Sequence, residues 1–243
     1  MRIIKLNAIE STNAFLRQLG TVEKLDDYTI VTTKFQSEGR GQMGTVWQSQ
    51  EGKNLMFSVY KNVSFLNSDH VFFLSIVVSL ALVKTLKRFN IPKLKVKWPN
   101  DILSEDKKVC GVLIENVVSN NQLKGTIIGV GLNVNQTEFQ NLPQASSLLL
   151  ISGKVHNLDE LLDSVISQMR HYFSLLKNKK YEVLLSKYEN LLFRKGKAST
   201  FRDTNGDLFT GIIQGVTQYG SLKILLEDNI SKEFDLKQVS LLY

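Results

Sequence analysis

The chain has 243 residues, 43% hydrophobic and 22% charged, a balance that supports one sizeable core with a small appendage and argues against a disordered chain. Its single cysteine, Cys110, excludes an internal disulfide, and the histidines His70, His156 and His171 show no metal-ligand spacing with it. The net charge of +7 suits a polyphosphate nucleotide or an acidic partner, but lysine and arginine are spread along the chain without the basic, aromatic-interleaved stripe of a nucleic-acid binder.

Residues Arg2 to Leu6 alternate as a strand, and Ser11 or Thr12 offers a hydroxyl cap for a short helix running towards Gly20. The β-branched and aromatic run Tyr28 to Phe35 predicts a strand, Gln36 to Trp47 a glycine-rich loop, and Asn54 to Tyr60 another strand. Asn67 to Arg88 reads as a buried helix with Ser68 and Asp69 as caps and Lys84, Lys87 and Arg88 at its negative end. Its apolar run Val71 to Val83 is shorter than the ~20 residues of a membrane span, and the N-terminus lacks a signal-peptide stretch. A cytoplasmic protein with no membrane association is therefore expected.

After Pro92 the pattern predicts strands over Leu94 to Trp98, Lys108 to Val117 and Gly125 to Val134, then helices over Leu158 to Leu176 and Tyr181 to Phe193. The elements lack a regular βαβ alternation, so an α+β fold is expected, with a central mixed β-sheet flanked by helices. A polar hinge, Arg194-Lys195-Gly196-Lys197, separates residues 1–193 from 194–243. Beyond it, short strand-like runs punctuated by Asn205-Gly206, Tyr219-Gly220 and Asp228-Asn229 predict a small β-barrel.

The most informative segment is Ser37-Glu38-Gly39-Arg40-Gly41-Gln42-Met43-Gly44-Thr45-Val46-Trp47. Glycines at 39, 41 and 44 let backbone amides approach an anion, and Arg40 adds a planar, permanently charged donor. It matches neither the Walker loop nor the dinucleotide fingerprint, and Trp47 suits either a purine or the core. Lys97-Trp98-Pro99-Asn100-Asp101 reads as a strand-ending turn with polar groups free to face a site. Lys108-Val109-Cys110-Gly111 puts a lysine at the mouth of an apolar strand, and Gly129-Val130-Gly131-Leu132-Asn133 opens another strand with glycines. Cys110 has no neighbouring histidine to activate it and reads as a packing residue.

Together with Ser11-Thr12-Asn13, these segments occur in an order and spacing that resemble the biotin protein ligases over essentially the whole chain. The resemblance implies a synthetase-like mixed sheet followed by an SH3-like barrel. It also implies a reaction in which the biotin carboxylate attacks the α-phosphate of ATP and the biotinyl group then passes to a lysine of a biotin carboxyl carrier domain, as in acetyl-CoA carboxylase. By the same resemblance Ser11, Thr12, Asn13, Gln36, Gly39, Arg40, Gly41, Lys108, Gly111 and Gly129 bind biotin. Gln42, Gly44, Trp47, Asn100, Lys108 and Asn133 fall on the ATP side, and Lys108 and Arg40 are the catalytic cations. ATP and biotin are substrates; Mg²⁺ is expected with the triphosphate, its protein ligands unassigned although Asp101 is near in sequence. A homodimer is left open.

Many relatives carry a second arginine where this chain has Gln42, and often arginine or asparagine where it has Thr45. Some carry an N-terminal DNA-binding domain before the Ser-Thr-Asn motif; here the motif starts at residue 11, so no nucleic-acid partner is expected. The alternatives are a lipoate or octanoyl ligase or transferase of the same superfamily and a non-catalytic biotin-sensing protein.

Overall fold

The computed structural model describes residues 1–243 apart from the side chain of Met43. The chain runs β1 (Arg2–Ile9), α1 (Thr12–Val22), β2 (Thr29–Gln36), β3 (Leu55–Asn62), α2 (Phe73–Arg88), β4 (Leu94–Lys97), β5 (Asp101–Ser104), β6 (Lys107–Ser119), β7 (Gln122–Leu132), α3 (Leu148–Ser152), α4 (Leu158–Lys177) and α5 (Tyr181–Glu189). It ends in β8 (Ala198–Asp203), β9 (Leu208–Val216), β10 (Leu222–Leu226), β11 (Ser231–Phe234) and β12 (Val239–Leu242). The first seven strands form one sheet in the order β1-β2-β3-β7-β6-β5-β4, mixed because β1 runs parallel to β2 while every other pair is antiparallel. The α+β expectation holds.

Strand periodicity gives the sheet two unlike faces. Phe57, Val59, Ile128, Val130, Leu132, Cys110 and Val112 point to one side, where α2, α4 and α5 bury them in the main core. The stretch Ser68–Arg88 is long and apolar enough to cross a bilayer, but its most apolar window is 67% buried inside the protein, as an all-round apolar core helix requires. On the other side α1 packs Leu16 on Val31 and Ile127, with Ile4, Leu6 and Tyr60 around them. The rest of that face is left open, floored by Gly111, Gly129 and Gly131.

Some elements differ from expectation. Ser68–His70 is a separate 3-10 turn, and the cap is the side chain of Asn67, which accepts from Asp69 N, rather than Ser68 or Asp69. The final helix stops at Glu189 instead of Phe193 because the chain turns to bond with β4, Val96 N donating to Leu191 O (2.8 Å) and Phe193 N to Val96 O (2.8 Å). Two short elements, β5 and α3, carried no sequence expectation. The last five strands form a second, antiparallel sheet in the order β11-β10-β9-β8-β12, with Phe201, Phe209 and Phe234 stacked inside it at 5.4 and 5.5 Å.

Candidate active site

A cavity of about 670 Å³ occupies the open face, walled by the loop after β2, the turn between β4 and β5, β6, β7 and residues of β12. Its floor follows from register. Gly129 pairs with Ser58 on one side and Leu113 on the other, while Gly131 pairs with Met56 and Gly111. Side chains there would fill the cavity. A Cβ on Gly129 would strike Asn13 Oδ1, and one on Gly131 would lie 2.6 Å from Trp47 Cζ2.

At the level of Gly129 sits a polar nest. Ser11 caps α1, its hydroxyl accepting from Ala14 N, which turns Thr12 and Asn13 towards the sheet. Gln36 Oε1 accepts from Thr12 N (2.8 Å) and Thr12 Oγ1 (3.1 Å). Ser58 Oγ, fully buried, lies 2.7 Å from Thr12 Oγ1 and 2.5 Å from Asn13 Oδ1. Asn13 Nδ2 donates to Glu115 Oε2 (2.7 Å), whose other oxygen is paired with Arg17.

One step along β7, at Gly131, Trp47 lies across the glycines. A Cβ on Gly111 would meet Trp47 Cζ3 at 3.1 Å and Lys108 Nζ at 3.3 Å. A bulge at the β5–β6 pairing sets Lys108 opposite Leu103 and Cys110 opposite Ile102. Lys108 Nζ therefore faces the cavity beside Gly111, while Cys110 is fully buried in the core. Burial pushes the Cys110 thiol far above its usual range, so it offers no thiolate. Lys108 Nζ pairs with Asp101 Oδ1 at 2.7 Å and stands 5.8 Å from the Trp47 ring centroid. Lys97 also lines the cavity, 4.4 Å from the Tyr243 ring; burial lowers its pKa, Asp101 opposes that shift and Lys108 adds to it.

The glycine-rich loop is a tight hairpin: Trp47 N donates to Gly39 O (2.9 Å) and Gly41 N to Thr45 O (2.7 Å), with Arg40 bridged to Val46. Arg40 projects at the cavity rim and joins none of the ion pairs among the described residues. Beyond Gly131, Asn133 Nδ2 donates to Ser146 O (3.0 Å) and Asn100 Nδ2 to Val112 O. Both asparagines are buried and line the wall.

Of the expected site residues, Ser11, Thr12, Asn13, Gln36, Arg40, Gly41, Gln42, Trp47, Asn100, Lys108, Gly111, Gly129 and Asn133 line this one cavity. Gly39 and Gly44 do not. Gly39 is packed under Trp47 O, where a Cβ would collide, and Gly44 is an exposed turn residue at φ 79°. Ser58 and Glu115, which contact Asn13, and Lys97 and Gly131, which line the cavity, carry no site expectation from the sequence. Among the described residues no group of three or more His, Cys, Asp or Glu side chains is arranged to hold a metal. Asp101 is the one carboxylate among the described residues lining the cavity.

The cavity combines a hydrogen-bonding nest at one end with Lys97 and Lys108 farther along, an arrangement that can hold a polar ring and anionic groups side by side. The model of the biotin/lipoate A/B protein ligase family matches residues 6–133, and the chain belongs to that family. It is 26% identical over 238 residues to the bifunctional ligase/repressor BirA of Escherichia coli, covering 97% of this chain and 73% of that one. A biotin–[acetyl-CoA-carboxylase] ligase of Mycobacterium tuberculosis is 30% identical over 142 residues, 57% of this chain and 52% of its own length. The biotin protein ligase of Aquifex aeolicus, solved in complex with biotin and ATP, superposes with a TM-score of 0.84 at 28% identity, covering 99% of this chain and 98% of that one.

Proposed function

We propose that this protein is an ATP-dependent biotin–protein ligase: it joins the carboxylate of biotin to AMP, releasing pyrophosphate, and transfers the biotinyl group to a lysine of a carrier protein. The observation that carries the reading is the order of groups along β7: polar nest at Gly129, Trp47 and Lys108 at Gly131, Asn133 beyond. A biotin laid along this floor meets hydrogen-bonding groups at its ureido ring and Lys108 at its carboxylate.

In this reading Ser11, Thr12, Asn13 and Gln36 hold the ring, Gly41, Gly111 and Gly129 make room for the tail, and Trp47, Gln42, Asn100 and Asn133 flank the adenylate. Gly39 and Gly44 act by shaping the loop. Lys108 and Arg40 hold two anions together. A carboxylate oxygen of biotin attacks the α-phosphorus, the bond to the bridging oxygen of pyrophosphate breaks, and the cations stabilise the added charge. The carrier lysine, arriving as a neutral amine, then attacks the acyl carbon, the bond to the phosphate oxygen breaks, AMP leaves and the amine's surplus proton passes to solvent.

Mg²⁺ would come with the triphosphate, and a single carboxylate, Asp101, suits an ion that keeps most of its ligands as phosphate and water. The expected acceptor is a biotin carboxyl carrier domain of a biotin-dependent carboxylase such as acetyl-CoA carboxylase. Residues 1–193 would supply the substrate sites and 194–243 a cap on the nucleotide side, a division supported by the start of the second sheet at Ala198.

The test is ATP-dependent transfer of labelled biotin to a carrier domain, with lipoate and octanoate as competitors. Formation of biotinyl-AMP and labelled carrier is expected. Failure of the wild-type protein to form biotinyl-AMP, or preference for a lipoyl or octanoyl substrate, overturns the reading.

A further inference from the structure

We infer that Glu115 is a positioning residue for substrate recognition, fixing the Asn13 amide so that its oxygen, not its nitrogen, is presented to the ring of the bound substrate. The inference rests on the biotin-ligase reading and names how that site distinguishes a ring N–H from a ring acceptor.

An asparagine side chain can lie either way round, with oxygen and nitrogen exchanged. Asn13 is 4% exposed and sits tight over Gly129, so its amide has little space other than this one plane. Its two ends meet different partners. An ionised carboxylate only accepts, so the end facing Glu115 Oε2 at 2.7 Å must be the NH₂ group. The opposite end, 2.5 Å from the Ser58 hydroxyl, is then the carbonyl oxygen. The remaining hydrogen of Nδ2 points to Leu113 O at 3.4 Å. Both donors are thus occupied, whereas Oδ1, over Gly129 at the cavity floor, accepts from Ser58 and has capacity for a second donor. Such a group accepts from a substrate N–H and rejects an analogue that presents an oxygen or a methyl there.

Glu115 itself is held by a second donor. Its Oε1 accepts from Arg17 on the outer face of α1 at 2.5 Å, so each carboxylate oxygen serves one donor. Arg17, Glu115 and Asn13 line a small side pocket of about 270 Å³ that opens beside Arg40. This bridging needs two acceptor oxygens. A glutamine has one, and with Arg17 present the charged guanidinium competes with Asn13 for it, leaving the glutamine NH₂ opposing the Asn13 NH₂.

That competition makes a test. Glu115→Gln is expected to raise the KM for biotin about tenfold, the cost of one misdirected hydrogen bond, with kcat and the KM for ATP changed less than about twofold. Arg17→Met alone leaves Glu115 to accept from Asn13 and is expected to change the biotin KM less than about threefold. Combining them frees the glutamine oxygen for Asn13, so the double variant should regain most of the lost affinity although it carries two substitutions. The Asn13 side-chain NH₂ resonances, assigned by NMR in the substrate-free protein, should move in Glu115→Gln and return in the double variant.

An unchanged biotin KM in Glu115→Gln, equal rises in both substrate KM values, or no recovery in the double variant overturns the inference. If Glu115→Gln folds too poorly for kinetics, Arg17→Met combined with Glu115→Gln against Arg17→Met combined with Glu115→Leu decides it, since only the former restores an acceptor for Asn13. Equal biotin KM values in that pair overturn it. Absence of biotinyl-AMP from the wild-type protein would instead defeat the ligase reading itself.

Discussion

Lys108 and Asp101 meet at 2.7 Å with roughly a third and a quarter of their side chains exposed (34% and 25%), so the lysine is held aimed along the glycine floor before any substrate arrives. On the proposed ligase reading, replacing it with alanine removes a charge that counts most when the carboxylate meets the phosphate, and leaves Asp101 to repel both. Lys108→Ala is expected to slow biotinyl-AMP formation about a hundredfold or more, measured by pyrophosphate release. A loss confined to KM, with kcat intact, would assign the lysine to ground-state binding only. Gln42, on the cavity wall where many relatives have arginine, can donate a hydrogen bond but no charge. Gln42→Arg should therefore slow escape of the adenylate, followed by trapping released biotinyl-AMP, and equal off-rates in the two proteins count against it. Lys97 belongs to the same cluster, and burial lowers its pKa. A lysine whose folded pKa lies below its unfolded one destabilises the fold while it stays charged, and that penalty is relieved as pH rises through the folded pKa. Lys97→Met should raise Tm at neutral pH, with the gain shrinking in alkaline buffer. A gain that grows with pH contradicts this.

The strand pair β6–β7 makes the site by omission. Where most sheets carry side chains, Gly111 and Gly131 face each other across the pair and leave a bare patch for the Trp47 indole. A Cβ on Gly131 would lie within 2.8 Å of three indole atoms, so Gly131→Ala must displace the indole. The expected result is a KM for ATP raised about tenfold, consistent with overpacking by a single methyl, while biotin binding at the Gly129 end is spared. Equal affinity for ATP in calorimetry would mean the indole is not part of the nucleotide site. The same pair explains what could and could not be read from the sequence. Gly129-Val130-Gly131-Leu132-Asn133 showed a strand with one side chain-poor face, but which of its residues would meet Trp47 depended on pairing with β3 and β6. Ser58 lay inside an unremarkable strand, and it becomes the hub of the polar nest only because register sets it beside Gly129. Glu115 ends an apolar run, and nothing local to it points to a partner. Its role depends on α1 crossing the sheet there, which no local pattern encodes. Short elements escaped for a related reason: Asp101–Ser104 is too brief to show a period, and it exists as a strand because it is clamped between β4 and β6.

At the scale of the whole chain, the second sheet is tied to the turn that carries Lys97, Asn100 and Asp101. The Trp98 indole N–H donates to Gly220 O (2.9 Å) between β9 and β10, while from α5 the buried Tyr188 hydroxyl donates to Pro99 O (2.7 Å) in the same turn. Gly220 packs against Phe72, where a Cβ would approach the ring to 2.5 Å, and Glu189 accepts from Val216 N (3.0 Å) while pairing with Lys195 (2.9 Å). Val239, Leu241 and Tyr243 complete the cavity wall on that side. These ties differ in where they attach: Trp98 sits in the turn that carries Lys97 and Asp101, whereas Glu189 joins the end of α5 to β9. Trp98→Phe keeps the ring and deletes one partly buried donor, and Glu189→Ala deletes an acceptor that leaves Val216 N unpaired. Each should lower unfolding free energy by about 1 kcal/mol in urea titrations. If the second sheet only caps the fold, both variants lose stability and neither changes substrate affinity. If it holds the turn in register with Lys108, Trp98→Phe should raise the KM for ATP several-fold while Glu189→Ala leaves it unchanged, and the biotin KM should move in neither. A rise in ATP KM of the same size in both variants would trace the effect to general loosening of the sheet rather than to the turn.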